Sequence, residues 1–93
     1  MDVKHHSGKR GEFYLEDDGR KIAELTYNLL SENQMIIDST YVSPSHREHG
    51  LGHELIKAAV AYAREKSIKI ETTCSFVRRV FRESNQYDDL KLI

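Results

Sequence analysis

Ninety-three residues, 39% apolar and 31% charged with a formal net charge of −1, make one globular domain and exclude both a disordered chain and a bundle of membrane spans. That near-neutral balance removes the basic field on which non-specific binding to nucleic acid or anionic lipid depends, so neither is an expected partner. A single cysteine, Cys74, excludes an internal disulfide framework, and the polar N-terminus has no signal-peptide core; the expected location is the cytoplasm, or the mitochondrion if a targeting segment has been removed.

Residues 1–10 are polar, with His5 and His6 adjacent, and read as a frayed start. Phe13, Tyr14 and Leu15 form a short strand, and Asp17-Asp18-Gly19-Arg20 supplies hairpin-turn chemistry because Asp and Gly tolerate positive φ. From Lys21 to Leu30 the pattern alternates, with Ala23, Leu25, Tyr27 and Leu29 on one face of a half-buried strand. After a break at residues 31–34, Met35 to Val42 forms a third strand, which completes an antiparallel meander. Leu51 to Lys66 then carries apolar residues at intervals of three and four, the mark of an amphipathic helix. Ile68 to Thr73 is short and β-branched and reads as a fourth strand, parallel to the third. Ser75 is a candidate N-cap for a second short helix, which has Phe76, Val77, Val80 and Phe81 on one face and Arg78, Arg79 and Arg82 on the other. Tyr87 to Leu92 forms a tail. With no repeat or linker to divide it, residues 1–93 make a single α+β domain of order β-β-β-α-β-α.

Chemistry concentrates where the third strand meets the first helix, at Arg47, Glu48, His49, Gly50, Leu51 and Gly52. A helix N-terminus presents unpaired N–H groups and the positive end of its dipole, and glycines let an anion approach the main chain. Arg47 adds a charge-assisted donor. A phosphate-bearing, nucleotide-like ligand is the expected occupant. Parallel strands that separate leave a crevice at their carboxyl ends, and Cys74 belongs to that same end.

The spacing Arg47, Gly50, Gly52 between a strand and a long helix resembles the Arg/Gln-x-x-Gly-x-Gly/Ala signature of the GNAT superfamily of acetyl-CoA-dependent N-acetyltransferases. Resemblance extends from Gly11 to Leu90, to the small single-domain group sometimes called YjdJ-type. Phe13 and Tyr27 match its first strands, Thr40 and Val42 the strand before the loop, Cys74-Phe76-Val77 its Cys-x-Phe/Tyr-Val segment, and Tyr87 and Leu90 its closing Tyr-x-x-Leu. It implies a compact GNAT-like fold with a mixed sheet splayed at the cofactor cleft. Acetyl-CoA would be the acetyl donor. Tyr41 and Val42 would bond pantetheine through the main chain, and Arg47, Glu48, His49, Gly50, Leu51, Gly52 and His53 would surround the pyrophosphate. The chain departs from the group at Ser39 and Tyr41 of its usual His-Thr-Glu-Val, at Glu48 in place of a glycine, and at Thr72 and Asn85 in place of prolines.

Two residues are catalytic candidates. Cys74 would protonate the departing thiolate or take the acetyl group as a nucleophile, the alternative being a small apolar filler. Tyr87 would serve as a general acid, or else as a core aromatic. His46, His49 and His53 lack a carboxylate or cysteine that would complete a metal set, so no metal is expected. The arginine face Arg78, Arg79, Arg82 reads most simply as a solvated surface, with the 3′-phosphate of CoA or an acidic partner as the sharper alternatives. Tight turns between the first strands leave no helices to wall an acceptor site. An open site suits a bulky amine acceptor such as a protein, a homodimer that completes the pocket, or a module that binds acyl-CoA without efficient turnover. A protein-interaction domain with no cofactor is the remaining alternative.

Overall fold

The computed structural model describes residues 2–91; Met1 of the N-terminal segment and Leu92 of the C-terminal tail lie outside them. Strands β1 (Lys4–His6), β2 (Arg10–Asp17), β3 (Arg20–Ser31) and β4 (Gln34–Val42) run antiparallel, followed by helix α1 (Leu51–Lys66), strand β5 (Lys69–Thr72) and helix α2 (Ser75–Glu83). Short 3-10 turns cover Pro44–His46 and Asn85–Tyr87. The sheet has the order β1-β2-β3-β4-β5, with β5 parallel to β4. Among the described residues no helix is long and apolar enough to cross a membrane.

Alternation sets the faces. Phe13 and Leu15 of β2, Ala23, Leu25 and Tyr27 of β3, and Met35 and Ile37 of β4 are buried in one core with Leu55, Ile56, Ala59 and Ala63 of α1. Glu12, Glu24 and Lys21 stand on the opposite, hydrated face, where Lys21 pairs with both glutamates. The β2–β3 hairpin turns through Asp18 (φ 52°) and Gly19 (φ 75°), the positive-φ pair that its Asp-Gly sequence predicts. Helix α2 packs on β4 and β5 through Val77, Val80 and Phe81, and Cys74, rather than Ser75, occupies its N-cap position, with no side-chain capping bond. Ser75 instead opens the helix as its first residue.

The expected frayed start is corrected in part, since Lys4–His6 pairs with Glu12–Tyr14 as β1. One ring accounts for this. His5 stacks on Phe13 with centroids 4.0 Å apart, meets Tyr62 edge-on at 4.6 Å, and bonds the Tyr27 hydroxyl through Nε2 at 2.6 Å. Burial, with Tyr62 as a lesser cause, pushes the Tyr27 phenol up to about 12. For His5, burial and then the neighbouring His6 hold the pKa below its ordinary 6.5. Unfolding restores the ordinary value, so in the window between the folded pKa and 6.5 the unfolded chain binds more protons. This contribution is fully present above pH 6.5 and is lost as the pH falls through that window. Melting temperature should therefore decline from about pH 7 to about pH 5, where histidines titrate. His5→Phe, which keeps a stacking ring, should flatten the slope; an unchanged slope would remove His5 as its source.

Strand β4 carries the feature that shapes the site. Thr26 pairs with Ser39 and Tyr27 with Ile37, so Asp38 is an extra residue in β4, a β-bulge. Its carboxylate accepts from Arg10 Nη1 (3.0 Å), Asn28 Nδ2 (3.3 Å) and the Thr26 hydroxyl. Pairing of β4 with β5 reaches only Ile37–Thr72, with Thr73 N–H closing on the Ile37 carbonyl at 3.0 Å. From Asp38 to Val42 the strand continues with no β5 neighbour. The sheet is open there.

Candidate functional site

Helix α1 begins without a side-chain cap. Gly50 is its N-cap in the left-handed region (φ 71°), and the first intrahelical bond runs from Glu54 N–H to the Gly50 carbonyl at 3.1 Å. The N–H groups of Leu51, Gly52 and His53 therefore have no partner within the helix, as at any helix start. A Cβ on Gly50 would meet nothing within 4 Å, whereas one on Gly52 would lie 2.9 Å from Phe76 Cε2. Gly52 is thus the contact by which the N-terminus of α1 fits against α2.

The loop, the open end of β4 and Phe76 enclose a groove of about 480 Å³ lined by Thr40, Val42, His46, Arg47, Glu48, Gly50, Leu51, Gly52, His53 and Phe76. Ser43 N–H bonds the Ile22 carbonyl of β3, so by antiparallel alternation the main-chain groups of Val42 and Thr40 face away from β3, toward the open edge. Arg47 Nε donates to the Val42 carbonyl at 3.3 Å. The groove thus has an apolar wall, a row of main-chain donors and acceptors, and an electropositive end where Arg47 meets the positive end of the helix dipole. Behind it, Thr40 Oγ1 is 3.4 Å from Cys74 Sγ.

A family model for GCN5-related N-acetyltransferases matches residues 12–90. The chain belongs to this family. A GCN5-like, proposed N-acetyltransferase from Staphylococcus aureus, solved by NMR, is 34% identical over 98% of this chain and 87% of that one, with a TM-score of 0.77. Fold alone is shared with a ribosomal-protein-alanine N-acetyltransferase from Brucella melitensis (21% identity, 91% of this chain and 65% of that one, TM-score 0.64). The same holds for an aminoglycoside N-acetyltransferase in complex with CoA (16% identity, 94% and 75%, TM-score 0.63). Comparison with curated proteins gives no match.

Within this GNAT fold the expected cofactor residues Val42, Arg47, Glu48, Gly50, Leu51, Gly52 and His53 all line the groove. Two others do not. Tyr41, expected to act through its main chain, pairs with Glu24 of β3, and by the same alternation its main-chain groups face β3 rather than the open edge; the residue is 47% exposed and borders a separate shallow concavity with Asp17 and Arg20. His49 is exposed outside the lining. Tyr87, read from sequence as a general acid or a core aromatic, is 7% exposed, packs on Phe81 at 5.2 Å between ring centroids, and does not line the groove. Residue pattern alone leaves Thr40, His46 and Phe76 out of the cofactor set. For Thr40 and Phe76, the alternation of β4 and the spacing from Gly52 carry no local signal of a shared wall. His46 ends the Pro44–His46 turn and faces Asp17 at 3.5 Å. Among the described residues no group of three or more His, Cys, Asp or Glu is placed to hold a metal ion.

Glu48 is explained by its backbone. It has φ 73°, in the left-handed region where this GNAT group more often has glycine, and its side chain is exposed. An L-residue there is strained by about 1–2 kcal/mol, partly offset because glycine has more unfolded freedom to lose. Glu48→Gly should stabilise the protein by about 0.5–1 kcal/mol, read as a rise in melting temperature. Glu48→Ala separates strain from charge: a gain as large as that of the glycine variant would count against strain.

Proposed function

We propose that the protein is an acetyl-CoA-dependent N-acetyltransferase that holds its donor in the groove between β4 and α1. The observation that carries this is the conjunction of an unpaired β4 edge with an uncapped α1 N-terminus fitted to Phe76 through Gly52. Those residues fit the two polar regions of CoA: Thr40 and Val42 offer main-chain groups for the amides of pantetheine, and Arg47 with the N–H groups of residues 51–53 suits a diphosphate. Bound there, acetyl-CoA would supply a thioester: the amine nitrogen adds to its carbonyl carbon, the C–S bond then breaks to leave a thiolate, and the proton the amine loses balances the one the thiolate takes up. Main-chain N–H groups on the open edge stabilise the oxyanion that develops between those events.

Cys74 is the proposed proton source for the thiolate. Thr40 lines the groove and touches Sγ, so its hydroxyl links thiol to groove. Cys74→Ala should lower kcat by about 100-fold, the usual worth of a positioned acid, while the affinity for acetyl-CoA stays within about twofold. Acetyl label trapped on wild-type protein and absent from the alanine variant would assign Cys74 as a nucleophile instead.

The acceptor enters from an open side. Strands β2–β3 and β3–β4 are joined by two-residue turns, Asp18-Gly19 and Glu32-Asn33, with no helix between them. A protein lysine or N-terminus brings its own walls and suits such a site. A second copy of the chain would also close it, and sedimentation at working concentration distinguishes the two.

Adding acetyl-CoA tests the donor. Thermal stabilisation and NMR shifts around Gly50 are expected, and silence in both would favour a protein-interaction domain. Labelled acetyl-CoA with a broad panel of amines, peptides included, tests transfer. Binding without label on any amine would favour a module that carries acyl-CoA, a reading helped by the burial of Tyr87 and by Ser39 standing where the group usually has histidine.

A further inference from the structure

The arginines of α2 are the strongest charged feature that the proposed reaction leaves unused. Arg78 is tied back, its Nη2 donating to the Thr72 carbonyl at 3.3 Å. Of the other guanidinium groups, Arg10 is neutralised by Asp38 and Arg64 by Asp89, and Arg47 already belongs to the main groove. Among the described residues Arg79 and Arg82 have no acidic partner, and both are exposed. Arg79 lies over the Phe76 ring, Cζ to centroid 5.9 Å. Phe76 is the side chain against Gly52, and it lines both the main groove and a second concavity bounded by Ser75, Arg78, Arg79 and Arg82. The two hollows therefore share one wall.

We infer that Arg79, with Arg82 beside it, is the site for the 3′-phosphate on the ribose of CoA. The inference rests on the cofactor reading above and deepens it. In CoA the diphosphate and the 3′-phosphate are attached to the same ribose, one sugar apart. A diphosphate seated on the N–H groups of Leu51 to His53 places the ribose beside Phe76, and the next cations along that wall are Arg79 and Arg82. A guanidinium recognises a phosphate through parallel charge-assisted hydrogen bonds, which suits both the charge and the shape of the group. Cation–π contact with Phe76 orients Arg79 without neutralising it.

The test compares CoA with dephospho-CoA, which lacks only the 3′-phosphate, by calorimetric titration of the full chain at low and physiological salt. Wild type should bind CoA about tenfold tighter, the usual scale of one charge-assisted contact, and the gap should narrow as salt rises. In Arg79→Ala, and more fully in Arg79→Ala/Arg82→Ala, the two ligands should converge to within about twofold through loss of CoA affinity alone. Both changes are exposed, and alanine is a good helix former, so the circular dichroism spectrum should be unchanged. Equal binding of the two ligands by wild type, or a full preference that survives in the double variant, overturns the inference and leaves the donor reading standing. Binding of neither ligand by wild type overturns both. Unchanged ligand preference together with lost affinity for an acidic protein would assign the arginines to a partner surface instead.

Discussion

Gly52→Val should lower the affinity for acetyl-CoA by about 30-fold or more, near 2 kcal/mol, with little change in thermal stability. A Cβ at this position would lie 2.9 Å from Phe76 Cε2 and 3.0 Å from its Cζ, and valine adds two methyl groups beyond that. The ring is half-buried and has space on its groove side, so it yields by rotating into the groove. The volume that the ligand needs is then filled. Stability is protected by compensation, because replacing a helical glycine recovers some backbone entropy, roughly 0.5–1 kcal/mol, against the cost of moving one partly exposed ring. Titration with acetyl-CoA and a melting curve on the same sample separate the two effects. Phe76→Leu added to Gly52→Val should restore part of the affinity by returning space. Unaltered binding by Gly52→Val would place the diphosphate elsewhere and remove the central support for the proposed donor site.

Gly11→Ala should cost about 3 kcal/mol of stability, at the upper end for overpacking in a core, and so lower the melting temperature by roughly 12–20 °C in a domain of this size. Gly11 pairs across strands with Tyr27, whose ring fills the space a side chain would take: a Cβ would lie 2.3 Å from both Cζ and Oη. Unlike Phe76, Tyr27 cannot yield. It is fully buried, between Phe13 and Tyr62, and its hydroxyl bonds His5. Moving it breaks that bond and loosens β1 from β2. Tyr27→Leu combined with Gly11→Ala should recover part of the loss, because the shorter side chain clears the methyl group. A melting temperature within about 2 °C of wild type in the single variant would show that β2 shifts freely, contrary to the packing.

These two glycines mark the boundary between what short-range pattern encodes and what it does not. Leu51–Lys66 is legible with its observed bounds because its apolar stripe repeats with the helix period over four turns, a signal strong enough to resist its context. The strands of the meander are legible to within a few residues for the same kind of reason, an alternation interrupted by Asp-Gly and Asn-containing turns. Gly50 and Gly52 read as a phosphate loop because their chemistry is local. Gly11 carries no such signal, since its reason is a ring on a strand sixteen positions away. Strand β1 is hidden for the same cause: three polar residues become ordered only when Phe13, Tyr27 and Tyr62 surround His5.

By itself, the sequence determined the order of elements from β2 to α2, the face each buries, the position of the glycine loop and the family likeness, all of which depend on residue types at short spacings. Tertiary structure decided the remainder. Asp38 becomes a bulge only against the register of β3, and the open edge exists only because β5 stops at Thr72 while β4 runs on to Val42. Thr40 and Phe76 enter the groove, and Tyr41 and Tyr87 leave it, through the direction of a strand face and the packing of α2. Local alternation sets the face of a strand side chain, but which groups it meets there depends on pairing and packing partners far along the chain, which no local pattern names.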